Sequence, residues 1–208
     1  MNVNTNVLKR FIIYMAILTF VMFTVWGLVK SFMNRPPGDY ETEVCDIRLK
    51  DKKYEQALEA ANEALSKSPN HRGAVMCRAL VFISEKKYIE ANEELSNLIN
   101  FLEANLETDD ATGTGTLAAA YANRGIIKDR NKNYKGALQD YAKALGIDHE
   151  AVAGPGLGTI ILNYKFKSSS VKERALYLNE QLQLPEDQRV LSIKELDEGQ
   201  VMHKPGKL

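Results

Sequence analysis

One phrase written three times constrains this chain more than anything else in it. Around Ala57 it reads K-K-Y-E-Q-A-L-E-A-A-N-E-A-L-S-K-S-P-N, around Ala91 K-K-Y-I-E-A-N-E-E-L-S-N-L-I-N, and around Ala137 K-N-Y-K-G-A-L-Q-D-Y-A-K-A-L-G-I-D. A unit this short cannot bury an apolar face by itself, so its recurrence predicts units stacked on one another rather than a single globular core. Stacks of this kind present extended surfaces to other macromolecules, which leans the functional expectation toward binding and away from catalysis.

Aligned on their alanines, the copies lie 34 residues apart (57 to 91) and then 46 apart (91 to 137). The surplus of 12 falls on residues 106–117, L-E-T-D-D-A-T-G-T-G-T-L, whose Gly, Thr and Asp content predicts an inserted loop. Each copy reads as two amphipathic helices joined by a tight turn. Cys45, Ala79 and Gly125 are small residues at equivalent places of the three copies, and a small side chain where two helices cross lets their axes approach to about 8 Å. Tyr54, Tyr88 and Tyr134 open the second helices, where a ring fills the gap at the turn while its hydroxyl stays wet.

A helix-turn-helix period of 34 is the signature of the tetratricopeptide repeat, and residues 38–151 strongly resemble that family. The family's alanine three residues after the aromatic is present as Ala57, Ala91 and Ala137. A second small residue seven positions on is present as Ala64 and Ala144, while Leu98 departs from it. The closing proline occurs once, as Pro69, with His149 at its place in the third copy. Arg124 also departs, standing where a leucine-like side chain would point inward; it implies either an internal partner for the guanidinium or a local rotation of the helix.

The resemblance implies an all-α solenoid whose first helices line a concave groove. Its lining would be Thr42, Asp46 and Leu49, then Met76, Leu80 and Ile83, then Ala122, Asn123, Ile126 and Arg130. Asp46, Met76, Leu80, Ile83, Asn123, Ile126 and Arg130 form the candidate partner-binding set. Its centre is apolar and its far wall carries Asn123 and Arg130, a surface suited to an extended peptide with a hydrophobic anchor and a nearby carboxylate. The alternative is that part of this lining is core, or is covered by the chain's own tail. One subclass of the family clamps a carboxyl-terminal tail with lysine, asparagine and arginine. Those places here hold Thr42, Asp46, Cys77, Ala119 and Asn123, and only Asn123 matches, so that clamp is not expected.

Ahead of the repeats, the run from Phe11 to Val29 is nineteen residues without a charge. As a helix it would span about 28 Å, close to the ~30 Å of a bilayer's hydrocarbon core. Trp26 near its second end suits the membrane interface. The alternative, a cleaved signal peptide, would have a shorter apolar core and a small-residue cleavage site, and Trp26-Gly27-Leu28-Val29-Lys30 offers none. Orientation is nearly balanced, with Lys9 and Arg10 on one side and Lys30, Arg35 and Arg48 on the other. The ten-residue polar head resembles a bacterial signal-anchor, which would export the repeats; cytoplasmic exposure is the open alternative.

The chain thus divides into a head (1–10), a transmembrane helix (11–30), a linker (31–37), repeats at 38–71 and 72–105, the inserted loop (106–117) and a third repeat (118–151). A degenerate fourth helical pair (152–185) follows, then a capping helix and tail (186–208). Within the fourth pair, Leu157–Phe166 would form one short helix, and Ser170 with Glu173 is a capping box opening the next, which Pro185 ends. From His203 onward the chain is expected to be a free tail.

Nothing in the sequence assembles a chemical site. His71, His149 and His203 lack a partner at metal-ligand spacing, and the first two are expected in exposed turns. There is no zinc-protease, nucleophile-elbow or phosphate-loop pattern, and Gly113-Thr114-Gly115-Thr116 reads as a flexible connector. Lys plus Arg equals Asp plus Glu at 27 each, which gives no basic excess for nucleic acid. Cys45 and Cys77, each inside a predicted first helix, read as two small buried thiols, with a disulfide outside the cytoplasm as the alternative. The expectation is a membrane-anchored adaptor for a protein or peptide, with no enzyme activity, cofactor or small-molecule substrate. The alternative is an accessory subunit or assembly factor of a larger membrane complex.

Overall fold

The computed structural model describes residues 5–33, 35–150, 152, 170–193, 197, 200, 202 and 203. Among these there are eight α-helices, a short 3-10 turn and no strand. The chain forms two units, Met1–Pro37 and Gly38–Leu208.

The first unit is the helix α1, Thr5–Met33. Over Thr5–Lys30 its mean hydropathy is 2.3 and none of it is buried, so it is long and apolar enough to cross a membrane. Its two internal threonine hydroxyls are satisfied locally, Thr19 donating to the Met15 carbonyl at 2.8 Å and Thr24 to that of Val21 at 2.8 Å. Hydroxyls folded back on their own helix leave no unmet donor on an apolar surface.

The second unit is built from helical hairpins. The first pairs α2 (Asp39–Lys50) with α3 (Tyr54–Lys67), the second α4 (Arg72–Ser84) with α5 (Tyr88–Asn105), the third α6 (Ala111–Arg130) with α7 (Tyr134–Ile147). Each second helix also packs on the next hairpin's first helix, and consecutive first helices touch, α2 with α4 and α4 with α6. A further helix, α8 (Val171–Gln183), lies against α7.

The three hairpins turn in one way. Lys52, Lys86 and Lys132 sit at φ 59°, 62° and 61°, the left-handed region, at equivalent places in the repeats. In the first hairpin the Lys52 N–H bonds the Leu49 carbonyl at 3.0 Å and the Lys53 N–H bonds that of Arg48 at 2.9 Å. The same pair recurs at Lys86 and Lys87 and at Lys132 and Asn133. This is the Schellman arrangement, which satisfies the last carbonyls of the first helix before the second begins.

The repeat positions meet where the spacing places them. Cys45 and Ala79 are fully buried and Gly125 is buried, as are Ala57, Ala91 and Ala137. At Gly125 a Cβ would stand 2.6 Å from the Tyr141 ring, so this crossing admits no side chain without displacing that ring. Leu98, the larger residue at its place, is also buried, at 2% exposure.

Three expectations are corrected. Residues 106–117 are not a loop throughout: the connector ends at Asp110, and Gly113, Gly115 and Thr116 lie buried inside α6. The insertion went into longer helices, α5 having 18 residues against 14 in α3, and α6 having 20 against 13 in α4. Asp110 starts the extended helix by accepting from the Gly113 N–H at 2.8 Å. It also pairs with Arg72, whose guanidinium holds the carboxyl below its ordinary range. Second, Cys45 and Cys77 are buried but are not thiols; they form a disulfide joining α2 to α4 across a Cα separation of 6.4 Å. Third, His71 is half-buried: its Nδ1 accepts from the Ala74 N–H at 3.2 Å, capping α4, and its Nε2–H meets Asp39 at 2.8 Å.

The expected helix at 157–166 lies outside the described residues. The capping box beside it is present, Ser170 accepting from the Glu173 N–H at 3.1 Å and Glu173 from the Ser170 N–H at 3.0 Å. Pro185 is followed by the 3-10 turn Glu186–Gln188.

Candidate partner-binding face

The first helices bring the predicted groove residues to one side, but mostly not as an open lining. Met76, Leu80, Ile83, Asn123 and Ile126 are 4% exposed or less. Asp46 is half-buried, and Arg130 is exposed, with its guanidinium 5.9 Å from the Tyr88 ring. What closes the third-repeat end of this face is the carboxyl-terminal segment of the same chain.

Asn123 carries that contact. Its Oδ1 accepts from the His203 N–H at 2.8 Å and its Nδ2 donates to the His203 carbonyl at 2.6 Å. Nδ2 also meets the Met76 thioether at 3.6 Å, so both faces of the carboxamide are engaged in a site with no exposure. The expected free tail is therefore not free at His203, which is 6% exposed, while residues 204–208 lie outside the described residues. His203 lines a small crevice together with Ile126, Tyr141, Val171 and Arg174. Burial there lowers its pKa to about 4, so the ring is neutral at physiological pH.

Below His203 lies a buried polar network. Arg174 of α8 pairs with Asp129 of α6 through two bonds of 2.7 Å, the two side chains being 1% and 3% exposed. The same guanidinium reaches the Leu191 carbonyl at 2.9 Å and Asp197 at 3.0 Å. Gln200 donates through Nε2 to Asp129 at 2.8 Å and to the Tyr141 hydroxyl at 3.1 Å. Tyr141 in turn donates to Asp129 at 3.2 Å. Burial and the neighbouring Asp129 charge hold the Tyr141 hydroxyl well above its ordinary pKa.

Asp129, Tyr141, Arg174, Gln200 and His203 were not in the candidate set, although a signal for two of them is in the repeat. At the place of Asp129 the earlier copies carry Leu49 and Ile83, and at the place of Tyr141 they carry Ala61 and Leu95. At the place of Asn123 they carry Glu43 and Cys77. At Asp129 and Tyr141 the third copy departs from an apolar pattern where it meets the carboxyl-terminal segment, whereas the place of Asn123 shows no common pattern.

This arrangement holds the backbone of His203 through both its N–H and its carbonyl. Among the described residues no group of three or more His, Cys, Asp or Glu converges as a metal set. No protein-family model matches the chain, and no curated protein matches it either.

Proposed function

We propose that this protein is a membrane-anchored tetratricopeptide-repeat adaptor or scaffold that binds a partner protein or peptide through its first-helix face. The observation that carries this reading is the Asn123 carboxamide bracketing the His203 backbone at 2.8 and 2.6 Å. A carboxamide aimed this way reads main chain, the element every extended peptide supplies. The 34-residue period and the recurrent hairpin turns support the family assignment. Confinement by α1 would raise the local concentration of the repeats, so modest affinity suffices.

The Cys45–Cys77 disulfide favours the outer side of the membrane for the repeats, because thiols stay reduced in the cytoplasm. With the head inside, α1 acts as a signal-anchor of a single-pass inner or plasma membrane protein.

Affinity purification after gentle solubilisation tests the adaptor reading, which expects a partner lost in variants of the first-helix face. A partner recovered unchanged from those variants would sink it, and a fixed multi-subunit assembly would favour an accessory subunit. Protease added to cells with a permeabilised outer barrier tests the side: an exported domain is cleaved, a cytoplasmic one is protected.

A further inference from the structure

The contact between Asn123 and His203 joins residues 80 apart in sequence and uses nothing of the histidine but its backbone. Asn123, and Asp129 and Tyr141 where the third copy puts polar groups at apolar repeat positions, each bond residue 200 or 203. Met202 between them packs on the same core. A segment engaged by a backbone bracket, a side-chain amide and a buried ring has the form of a bound peptide. It stands on the face that the adaptor reading assigns to the partner.

We propose that Gln200, Met202 and His203 form an intramolecular ligand that occupies a peptide site on α6. The site's ligand in trans is then an extended peptide of the same chemistry. That peptide would carry a carboxamide side chain donating to Asp129. Three residues later it would carry an uncharged ring over Ile126 and Tyr141, with that residue's backbone bracketed by Asn123. The inference rests on the adaptor reading and adds that the site is held closed until its own segment leaves.

Three features favour release over permanent attachment. The bracket makes two hydrogen bonds that an incoming peptide reproduces one for one, so exchange leaves no buried group unpaired. The carboxylate that receives Gln200 keeps its two bonds to Arg174 when Gln200 departs, so no buried charge is stranded. Among the described residues the segment's further ties are the amide contact to Tyr141 and the packing of Met202 on the core, neither of which is a charge pair. Against release stands tethering, which presents the chain's own segment at millimolar effective concentration and must be overcome by an incoming peptide.

The test uses the full chain in lipid nanodiscs and a fluorescent peptide of residues 197–208. His203→Asp places a charge where the site is buried and so expels the chain's own segment. The expectation is that the peptide binds the His203→Asp chain at least tenfold more tightly than the native chain, and that adding Asn123→Ala weakens it at least tenfold. Circular dichroism and an intact disulfide report that each variant is folded. A folded His203→Asp chain that does not bind the peptide overturns the proposal. If that variant does not fold, amide exchange of the native chain decides. Exchange at 200–203 faster than in α6 supports a releasable segment, while exchange only together with α6 and α8 overturns it. Failure here with a partner still recovered from membranes removes the intramolecular ligand alone. Peptide binding with no partner recovered removes the adaptor reading instead.

Discussion

Arg124 grips Asp140 through two parallel bonds of 2.8 and 2.9 Å, and a third bond at 3.2 Å reaches Ser96 on the preceding hairpin. Arg78 repeats the arrangement one unit earlier, reaching Glu94 at 2.6 Å and Asn62 at 3.0 Å. Each arginine thus ties its own second helix to the second helix of the hairpin before it. In the first copy, which has no hairpin before it, the equivalent pair is Val44 and Ala60. The departure at Arg124 is answered by a carboxylate, with no local break in α6.

Asp140→Ala strands the half-buried Arg124 guanidinium and is expected to lower stability by about 2–4 kcal/mol. Arg124→Leu should cost less, about 1–2 kcal/mol, because Lys128 remains 2.7 Å from Asp140. The double variant should fall short of the sum by at least about 1 kcal/mol in urea unfolding of the detergent-solubilised chain. Additive losses would mean the pair is not coupled.

The three left-handed lysines carry a backbone penalty that glycine would not. Lys52→Gly, Lys86→Gly and Lys132→Gly should each stabilise by about 0.5–1 kcal/mol, net of the extra freedom glycine gives the unfolded chain. Thermal midpoints should rise by roughly 2–4 °C per kcal/mol for a domain of this size. A uniform drop in midpoint would contradict the turn geometry.

The disulfide closes a loop across a sequence separation of 32, for which chain entropy predicts about 3–4 kcal/mol. Paired Cys45→Ala and Cys77→Ala substitution, or reduction, should lower stability by about 2–4 kcal/mol. The native chain from cells should resist maleimide until reduced. Ready labelling of unreduced chain would place the domain in a reducing compartment.

His203 links the seat of the tail to pH. Its undocked pKa is near 6.5 and burial lowers the docked value to about 4, so docking is complete above about 6.5. As pH falls from there toward about 4 the open form takes up a proton and docking weakens, by about tenfold per pH unit. Among the described residues the charged groups at the seat are the Arg174 guanidinium and the two carboxylates it pairs with, Asp129 and Asp197. Amide exchange at 200–203, corrected for its intrinsic rate, should show this slope in the native chain. In His203→Gln it should be flat.

The second-helix starts at Tyr54, Tyr88 and Tyr134, the small residues buried in the repeats and the Ser170–Glu173 cap were legible in sequence, since each depends on residues within one turn or one hairpin. The insertion misled for a local reason. Gly and Thr mark loops on average, yet Asp110 nucleates a helix through them and burial of Gly113 and Gly115 sustains it. The residues of the candidate groove lie on the first helices, but how far they are covered could not be judged from the sequence. What covers Asn123 lies 80 residues away.

By itself the sequence determined an apolar amino-terminal helix and a series of helical hairpins, because period and turn chemistry act over a few residues. Only the tertiary structure decided that Cys45 meets Cys77, that Asp129 receives Arg174, and that Asn123 holds the backbone of His203. Those pairings depend on which distant segments the stacked helices bring within bonding distance, and no local rule carries that information.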